Sequence, residues 1–101
     1  MAIERLLGIM ARLRDPETGC PWDRAQDFRS IAPHTLEEAF EVVDAIERED
    51  LGELRGELGD LLFQVVFHAR IAEEQGVFCF DDIAAAVADK LERGVLGREG
   101  G

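Results

Sequence analysis

The stretch Leu61-Leu62-Phe63-Gln64-Val65-Val66-Phe67 constrains the fold more than any other part of this sequence. It lies within residues 53–75, which have the composition of one long helix ending at Gly76, a residue suited to a left-handed C-cap. A helix that is apolar on nearly every side must be buried on nearly every side. A chain of 101 residues has few other helices to surround it. We therefore expect this central helix to be buried in a homodimer or larger homo-oligomer.

The N-terminal half of the chain also has helical patterning. Apolar residues recur with helical periodicity over residues 3–13, and a loop rich in proline and glycine follows. Pro33 suits the first turn of a second helix, and Thr35 and Glu38 have the spacing of a capping box. These signals predict a helix over residues 33–48.

The C-terminal part of the chain completes the predicted architecture. Residues 77–80 are interpreted as a packed linker, and Asp81 or Asp82 caps a last helix over residues 83–93. Short connections favour antiparallel neighbours. We predict an all-α domain over residues 1–93, an antiparallel bundle of four to five helices, followed by a flexible Gly-rich tail over residues 94–101.

The charge of the chain restricts its partners. The net charge is −11, from 22 acidic and 11 basic residues. Nucleic acids and anionic membranes both favour basic surfaces, so we expect neither as a partner. The N-terminus has no long apolar run, so we expect no signal peptide or membrane anchor. The two cysteines stand in no paired motif and indicate reduced thiols in a cytoplasmic protein.

Two acidic patterns lie on the predicted helices. The first is Glu37-Glu38 followed by Glu41, and the second is Glu57 followed by Asp60. Residues three apart on a helix have Cβ atoms about 5–6 Å apart. Antiparallel pairing of the two helices therefore predicts that Glu38, Glu41, Glu57 and Asp60 converge.

Helical phase separates the acids of the first pattern. Glu38 and Glu41 flank the stripe that we predict to be buried, whereas Glu37 points toward solvent and is left outside the cluster. Spacing alone does not distinguish Glu38 from Glu37. The stripe itself consists of four apolar residues, Leu36, Ala39, Val43 and Ile46.

Clustered carboxylates suit a hard divalent cation. Mg²⁺ prefers oxygen ligands and shares its coordination shell with water and phosphate, and Mn²⁺ accepts similar ligands. Without cations, neighbouring carboxylates raise one another's pKa. The acidic patterns therefore predict a metal site for phosphate chemistry. The alternative interpretation is two solvated acidic helix faces whose spacing is fortuitous.

The same residues resemble a known family. The two acidic patterns, the loop Gly19-Cys20-Pro21-Trp22-Asp23 and the stretch from Arg55 to Val65 are similar to the MazG family of all-α nucleoside triphosphate pyrophosphohydrolases. The resemblance is to the N-terminal of the two domain copies that many members carry. It implies a dimeric helical bundle that hydrolyses an NTP or dNTP to a nucleoside monophosphate and pyrophosphate. It assigns metal binding and catalysis to Glu38, Glu41, Glu57 and Asp60.

The resemblance is weaker at the C-terminal end of the chain. Lys90 and Arg93 stand where the family places phosphate-binding residues, but Gly94 departs from the family pattern. The incomplete basic segment favours an alternative function, a non-catalytic dimerising or nucleotide-binding module of a two-domain enzyme. Trp22 is either a nucleobase-stacking residue or a packing anchor. Three further basic residues are interpreted as salt-bridging surface groups, Arg24, Arg55 and Arg70.

Overall fold

The computed structural model describes residues 1–96, in which the backbone is entirely helical apart from short connections. The all-α prediction is confirmed. The last five residues of the predicted tail, 97–101, lie outside the described residues. The elements are α1 (Ala2–Leu13), α2 (Pro21–Arg24), α3 (Phe28–Glu47), α4 (Leu51–Glu74), α5 (Phe80–Leu91) and a π-helical turn (Glu92–Leu96).

The helix α3 begins five residues before the predicted start. Asp27 is its N-cap: the Asp27 carboxylate accepts a hydrogen bond from the Ser30 N–H, and the Ser30 hydroxyl accepts one from the Asp27 N–H. Pro33 therefore lies inside the helix, where it removes one backbone hydrogen bond. The reciprocal cap and the burial of Ile31 in the additional turn offset that loss. The prediction that Pro33 opens the helix was wrong.

The connection between α1 and α3 is ordered by one arginine. Arg14 Nη1 donates hydrogen bonds to the carbonyl oxygens of Asp23 (2.6 Å) and Gln26 (3.1 Å). The short helix α2, which the sequence analysis treated as loop, begins with Pro21 at its first position. Arg14 also pairs with Glu74 at the end of α4. Arg14 therefore connects the segment that carries Trp22 to the end of α1 and to the end of α4.

The hydrophobic core lies at one end of the molecule. It joins α1, the first turns of α3 and the C-terminal half of α4, with Phe80 of α5 packed against it. The N-terminal half of α4 lies against α3 instead, and the two helices form an antiparallel hairpin across residues 48–50. The fully buried members of the core are Met10, Ile31, Val66, Phe67 and Ile71.

A single protomer does not enclose α4. Leu58 and Leu62 remain 48% and 38% exposed. Most of the predicted buried stripe of α3 is also exposed, with Leu36 at 60% and Val43 at 50%, so that prediction is wrong for the protomer. The physical reason is the rotation of α3, which turns Ala45 and the flank bearing Glu38 toward α4. No helix within residues 1–96 combines the length and the hydropathy needed to cross a bilayer.

A carboxylate cluster as the candidate metal centre

Three carboxylates meet where the middle of α3 faces the first half of α4. One oxygen from each of Glu38, Glu57 and Asp60 lies within 4.8 Å of the other two. We call these three residues the carboxylate cluster. Glu57 and Asp60 are three residues apart and share one face of α4, and the antiparallel hairpin places Glu38 opposite them.

Glu38 is the most constrained member of the cluster. Its Oε2 atom is buried and has no hydrogen-bond partner among the described residues. Burial raises the pKa of Glu38, and the negative charges of Asp60 and then Glu41 raise it further. A buried carboxylate oxygen without a partner is costly to the fold. This oxygen therefore provides an unused ligand that points to a cation.

The surroundings of Glu57 also disfavour its ionised form. Removal of its half-buried carboxyl from water is the largest cause that raises the pKa of Glu57 to about 7. Hydrogen bonds shared with Asp60 and Glu41 come next, followed by the charges of Glu41 and Glu38. Glu41 thus lies beside Glu57 at the edge of the cluster. All four predicted carboxylates are neighbours, although only three form the tightest group.

The cluster opens into a surface pocket of about 510 Å³. Its volume falls in the range of about 300–1,000 Å³ that small-molecule sites occupy. We call it the carboxylate pocket. Its lining residues are Glu37, Glu38, Phe40, Glu41 and Glu57.

The donor set fits a hard divalent cation. Every available ligand atom is a carboxylate oxygen, the class that Mg²⁺ and Mn²⁺ prefer over nitrogen or sulfur ligands. A cation would satisfy the orphaned Oε2 of Glu38 and reduce the mutual repulsion of the other carboxylates. The residues that would hold it are Glu38, Glu57 and Asp60, with Glu41 adjacent.

The aromatic residue predicted to contact substrate lies near this pocket. Trp22 is 54% exposed, and its ring meets the ring of His34 edge-on at 6.0 Å between centroids. His34 Nδ1 is in turn 3.7 Å from a carboxylate oxygen of Glu37. Because His34 lies one turn before Glu38 on α3, the exposed indole is adjacent to the carboxylate pocket.

The predicted basic residues lie elsewhere in the protomer. Lys90 lines a different pocket, which is formed by α5 and the segment before it. Arg93 lies exposed in the π-helical turn. Within residues 1–96, neither side chain lines the carboxylate pocket. Their role in phosphate binding stays a prediction.

Comparison with known proteins identifies the family of the chain. The family model described as the MazG nucleotide pyrophosphohydrolase domain matches residues 26–94. The chain belongs to the MazG family. The matched segment contains the whole carboxylate cluster and both helices that carry it.

Several curated relatives of this MazG domain are named nucleoside triphosphate pyrophosphohydrolases. The chain is 69% identical over 91 residues to the nucleoside triphosphate pyrophosphohydrolase of Escherichia coli K12, covering 90% of this chain and 35% of that protein. It is 46% identical over 90 residues to the Thermotoga maritima protein named nucleoside triphosphate pyrophosphohydrolase/pyrophosphatase MazG, covering 89% and 35%. A Mycobacterium tuberculosis nucleoside triphosphate pyrophosphohydrolase is 43% identical over 101 residues, covering 95% and 31%. The chain spans about a third of the length of these relatives.

A polar network joins the two helices of the MazG domain next to the cluster, and it holds His68 as a hydrogen-bonded polar group. The Thr35 hydroxyl lies 2.9 Å from His68 Nε2 and 3.2 Å from Gln64 Oε1. Burial lowers the pKa of His68, which favours its neutral form. Donation from a neutral Nε2–H to Thr35, and from Thr35 to Gln64, satisfies all three groups. The available signal was the strip Asp60, Gln64 and His68 on one face of α4.

Proposed function

We propose that this MazG domain hydrolyses nucleoside triphosphates, or deoxynucleoside triphosphates, to a nucleoside monophosphate and pyrophosphate in a reaction that depends on Mg²⁺. The observation that carries the proposal is the convergence of Glu38, Glu57 and Asp60 around an unpartnered buried oxygen. The names of the curated relatives supply the reaction class.

In this proposal the four acidic side chains Glu38, Glu41, Glu57 and Asp60 hold the metal and are the catalytic group. A bound Mg²⁺, or Mn²⁺ in its place, supplies charge neutralisation on the phosphate oxygens and an activated water. The helix hairpin fixes the ligands, because Glu38 lies on α3 whereas Glu57 and Asp60 lie on α4. Rigid elements hold such constellations better than loops do.

The residues around the pocket would orient the nucleotide. The exposed face of Trp22, whose ring lies 6.0 Å from that of His34, offers a stacking surface for a nucleobase. The edge contact with His34 limits rotation of the indole. We also propose that Lys90 and Arg93 bind phosphate oxygens. Because they do not line the carboxylate pocket of their own protomer, contact in an assembled form is the arrangement that this role requires.

Assembly into a homodimer or larger homo-oligomer is part of the same proposal. Five apolar side chains on the outer faces of α3 and α4 are between 38% and 65% exposed. Large apolar side chains left exposed on neighbouring helices are a common mark of protein interfaces. The five residues are Leu36, Phe40, Val43, Leu58 and Leu62, which we call the apolar face.

The charge and the cysteines support two further statements. A net charge of −11 is unfavourable for binding nucleic acid or an anionic membrane, so we propose the nucleotide alone as the anionic ligand of this site. Cys20 and Cys79 are both free thiols. This favours a reducing, cytoplasmic environment.

Product identity is the decisive test. The domain is incubated with each NTP and Mg²⁺, and the products are separated by anion-exchange chromatography. We expect equal amounts of nucleoside monophosphate and pyrophosphate, with no turnover in EDTA. A nucleoside diphosphate and orthophosphate as first products would contradict the proposal.

A second candidate function is a non-catalytic, dimerising, nucleotide-binding module of a longer enzyme. The placement of Lys90 and Arg93 away from the carboxylate pocket favours it. Calorimetric titration of the domain with a nonhydrolysable NTP analogue and Mg²⁺ is run beside the product assay. Binding without pyrophosphate release supports the module, whereas release supports the enzyme.

A further inference from the structure

A second charged pocket lies where the loop after α1 approaches the end of α4. It has a volume of about 340 Å³, and its lining residues are Arg14, Pro16, Arg24, Arg70 and Glu74. Three guanidinium groups and one carboxylate line it, and two further acids lie near these arginines: Asp15, whose pKa the charge of Arg24 helps to lower, and Glu73, 3.8 Å from Arg70. We call this site the arginine pocket.

The single acid of the arginine pocket is already neutralised. Arg14 Nε and Nη2 donate to the two carboxylate oxygens of Glu74 at 2.8 and 2.7 Å. These hydrogen bonds are the main cause that lowers the pKa of Glu74, which is therefore ionised and paired. The Nη1 group of Arg14 is used by the carbonyl oxygens of Asp23 and Gln26. Arg14 thus builds the wall of the pocket and has little capacity left for a ligand.

The other two arginines keep most of their donors. Arg70 Nε is buried and has no hydrogen-bond partner among the described residues. The nearest acceptors are carboxylate oxygens beyond hydrogen-bond distance: Nε lies 3.6 Å from Glu74 Oε2, and Nη1 lies 3.8 Å from Glu73 Oε2. Arg24 donates from Nη1 to the carbonyl oxygen of Pro16, the one hydrogen bond that its side chain makes within residues 1–96. Two guanidinium groups with unused N–H donors therefore line one pocket.

Unused guanidinium donors beside a pocket match an oxyanion. Arginine presents a planar fork of N–H groups that fits two oxygens of a phosphate, and the resulting charge-assisted hydrogen bonds are stronger than neutral ones. A bound oxyanion would also satisfy the buried Nε of Arg70, which otherwise carries a desolvation cost. The pocket is large enough for a small ligand.

We propose that the arginine pocket binds a phosphate-type oxyanion, inorganic phosphate or pyrophosphate, between Arg24 and Arg70. This site is separate from the carboxylate pocket. Arg70 follows Asp60 by ten residues on α4, which corresponds to about 15 Å along the helix axis. Anion binding at the two sites also has different requirements. The carboxylate cluster repels anions unless a cation is bound, whereas the arginine pocket attracts them without one.

Calorimetric titration in the presence of EDTA tests the proposal without the metal site. Pyrophosphate and phosphate are titrated separately into the full chain at low ionic strength, since salt screens such binding. We expect one site per chain. Tighter binding of pyrophosphate identifies a diphosphate ligand, and equal affinities identify a single phosphoryl group.

Variants assign the binding to the pocket. Arg24→Gln and Arg70→Gln should each weaken binding by at least about tenfold, because each removes charge-assisted hydrogen bonds. Arg5→Gln makes the same change of charge at an exposed position on α1 outside the pocket and should leave the affinity unchanged. Circular dichroism checks the fold, and Arg24→Gln carries the test alone if Arg70→Gln unfolds. Absence of binding in EDTA, or equal affinity in Arg24→Gln and Arg5→Gln, would overturn the proposal.

Discussion

Arg14 and Glu74, sixty residues apart in sequence, form a two-bonded ion pair with N···O distances of 2.7 and 2.8 Å. The Arg14 guanidinium also lies 5.5 Å from the centre of the Phe67 ring. Only 8% of the Arg14 side chain is exposed, so this pair is partly shielded from solvent and salt. One side chain therefore connects α1, the Trp22 loop and the end of α4.

Arg14→Ala should destabilise the fold by about 2–3 kcal/mol, because it leaves Glu74 and the carbonyl oxygens of Asp23 and Gln26 without their donor. Urea unfolding followed by circular dichroism measures the change. Arg48→Ala is the control, since it removes exposed ion pairs to Asp44 and Asp50 and should cost less than about 1 kcal/mol. Equal losses in the two variants would contradict the role given to Arg14.

The raised pKa of Glu57 predicts that the domain becomes less stable as pH rises. The pKa of Glu57 is raised from its ordinary value of 4.5 to about 7. Between these values the folded state holds a proton that the unfolded state has lost, so the free energy of unfolding falls as pH rises. Below pH 4.5 and above pH 7 this contribution is constant.

Thermal unfolding in EDTA across this range checks the sign. Glu57→Gln should weaken the decline between pH 4.5 and 7 and raise the melting temperature at pH 8. Glu37→Gln is the matched control, because that carboxyl is exposed on α3 and lies outside the cluster. A decline that is unchanged in Glu57→Gln would show that other groups cause it.

Substitution of a single proposed metal ligand should reduce activity without unfolding the domain. Glu38→Gln and Asp60→Asn should each lower kcat/KM by at least about a hundredfold, since a catalytic metal contributes several kcal/mol. We expect Mg²⁺ to raise the melting temperature of the unaltered domain, and both variants should lose that rise. Glu47→Gln, which changes an exposed acid of the same helix outside the carboxylate pocket, should keep both properties. Full turnover in Glu38→Gln would remove that residue from the ligand set.

The Thr35 network predicts a cost for loss of one hydroxyl. Thr35→Val leaves Gln64 and His68 without their shared partner and should destabilise the domain by about 1–3 kcal/mol. Thr35→Ser keeps the hydroxyl and should retain most of the stability. Chemical denaturation of the two variants decides between a bonded network and simple packing, because packing alone would make Val the milder change.

The apolar face predicts the site of assembly. Phe40 is the most exposed of its five residues, at 65%, and Phe40→Glu should convert the proposed oligomer to monomers because it places a charge in an apolar contact. Sedimentation velocity measures the result. Val77→Glu changes an equally exposed residue outside the apolar face and should leave the assembly intact. Dissociation by both variants would place the interface elsewhere.

Local signals in the sequence were sufficient for much of this fold. The positive φ of Gly76 and the near-agreement of α4 with residues 53–75 follow from helix-end chemistry that is read within a few residues. The facing of Glu38 with Glu57 and Asp60 follows from spacing three apart on antiparallel helices.

The errors arose where tertiary contacts decide. Pro33 is a good opening residue by itself, yet the Asp27 cap and the burial of Ile31 draw α3 back by five residues. The apolar stripe of α3 was predicted to be buried, but periodicity does not say whether an apolar face packs inside one chain or against another molecule. The structural role of Arg14 could not be predicted from its sequence neighbours, because its hydrogen-bond partner Glu74 is distant in sequence.

The division of α4 has a consequence for how such a domain can diversify. Its second half supplies Val66, Phe67 and Ile71 to the core, whereas its first half carries Glu57 and Asp60 and packs against α3. The proposed metal ligands and the core residues thus lie on successive turns of one helix. Substitutions near the proposed site in the first half can therefore change ligand preference without removing the core contacts of the second half.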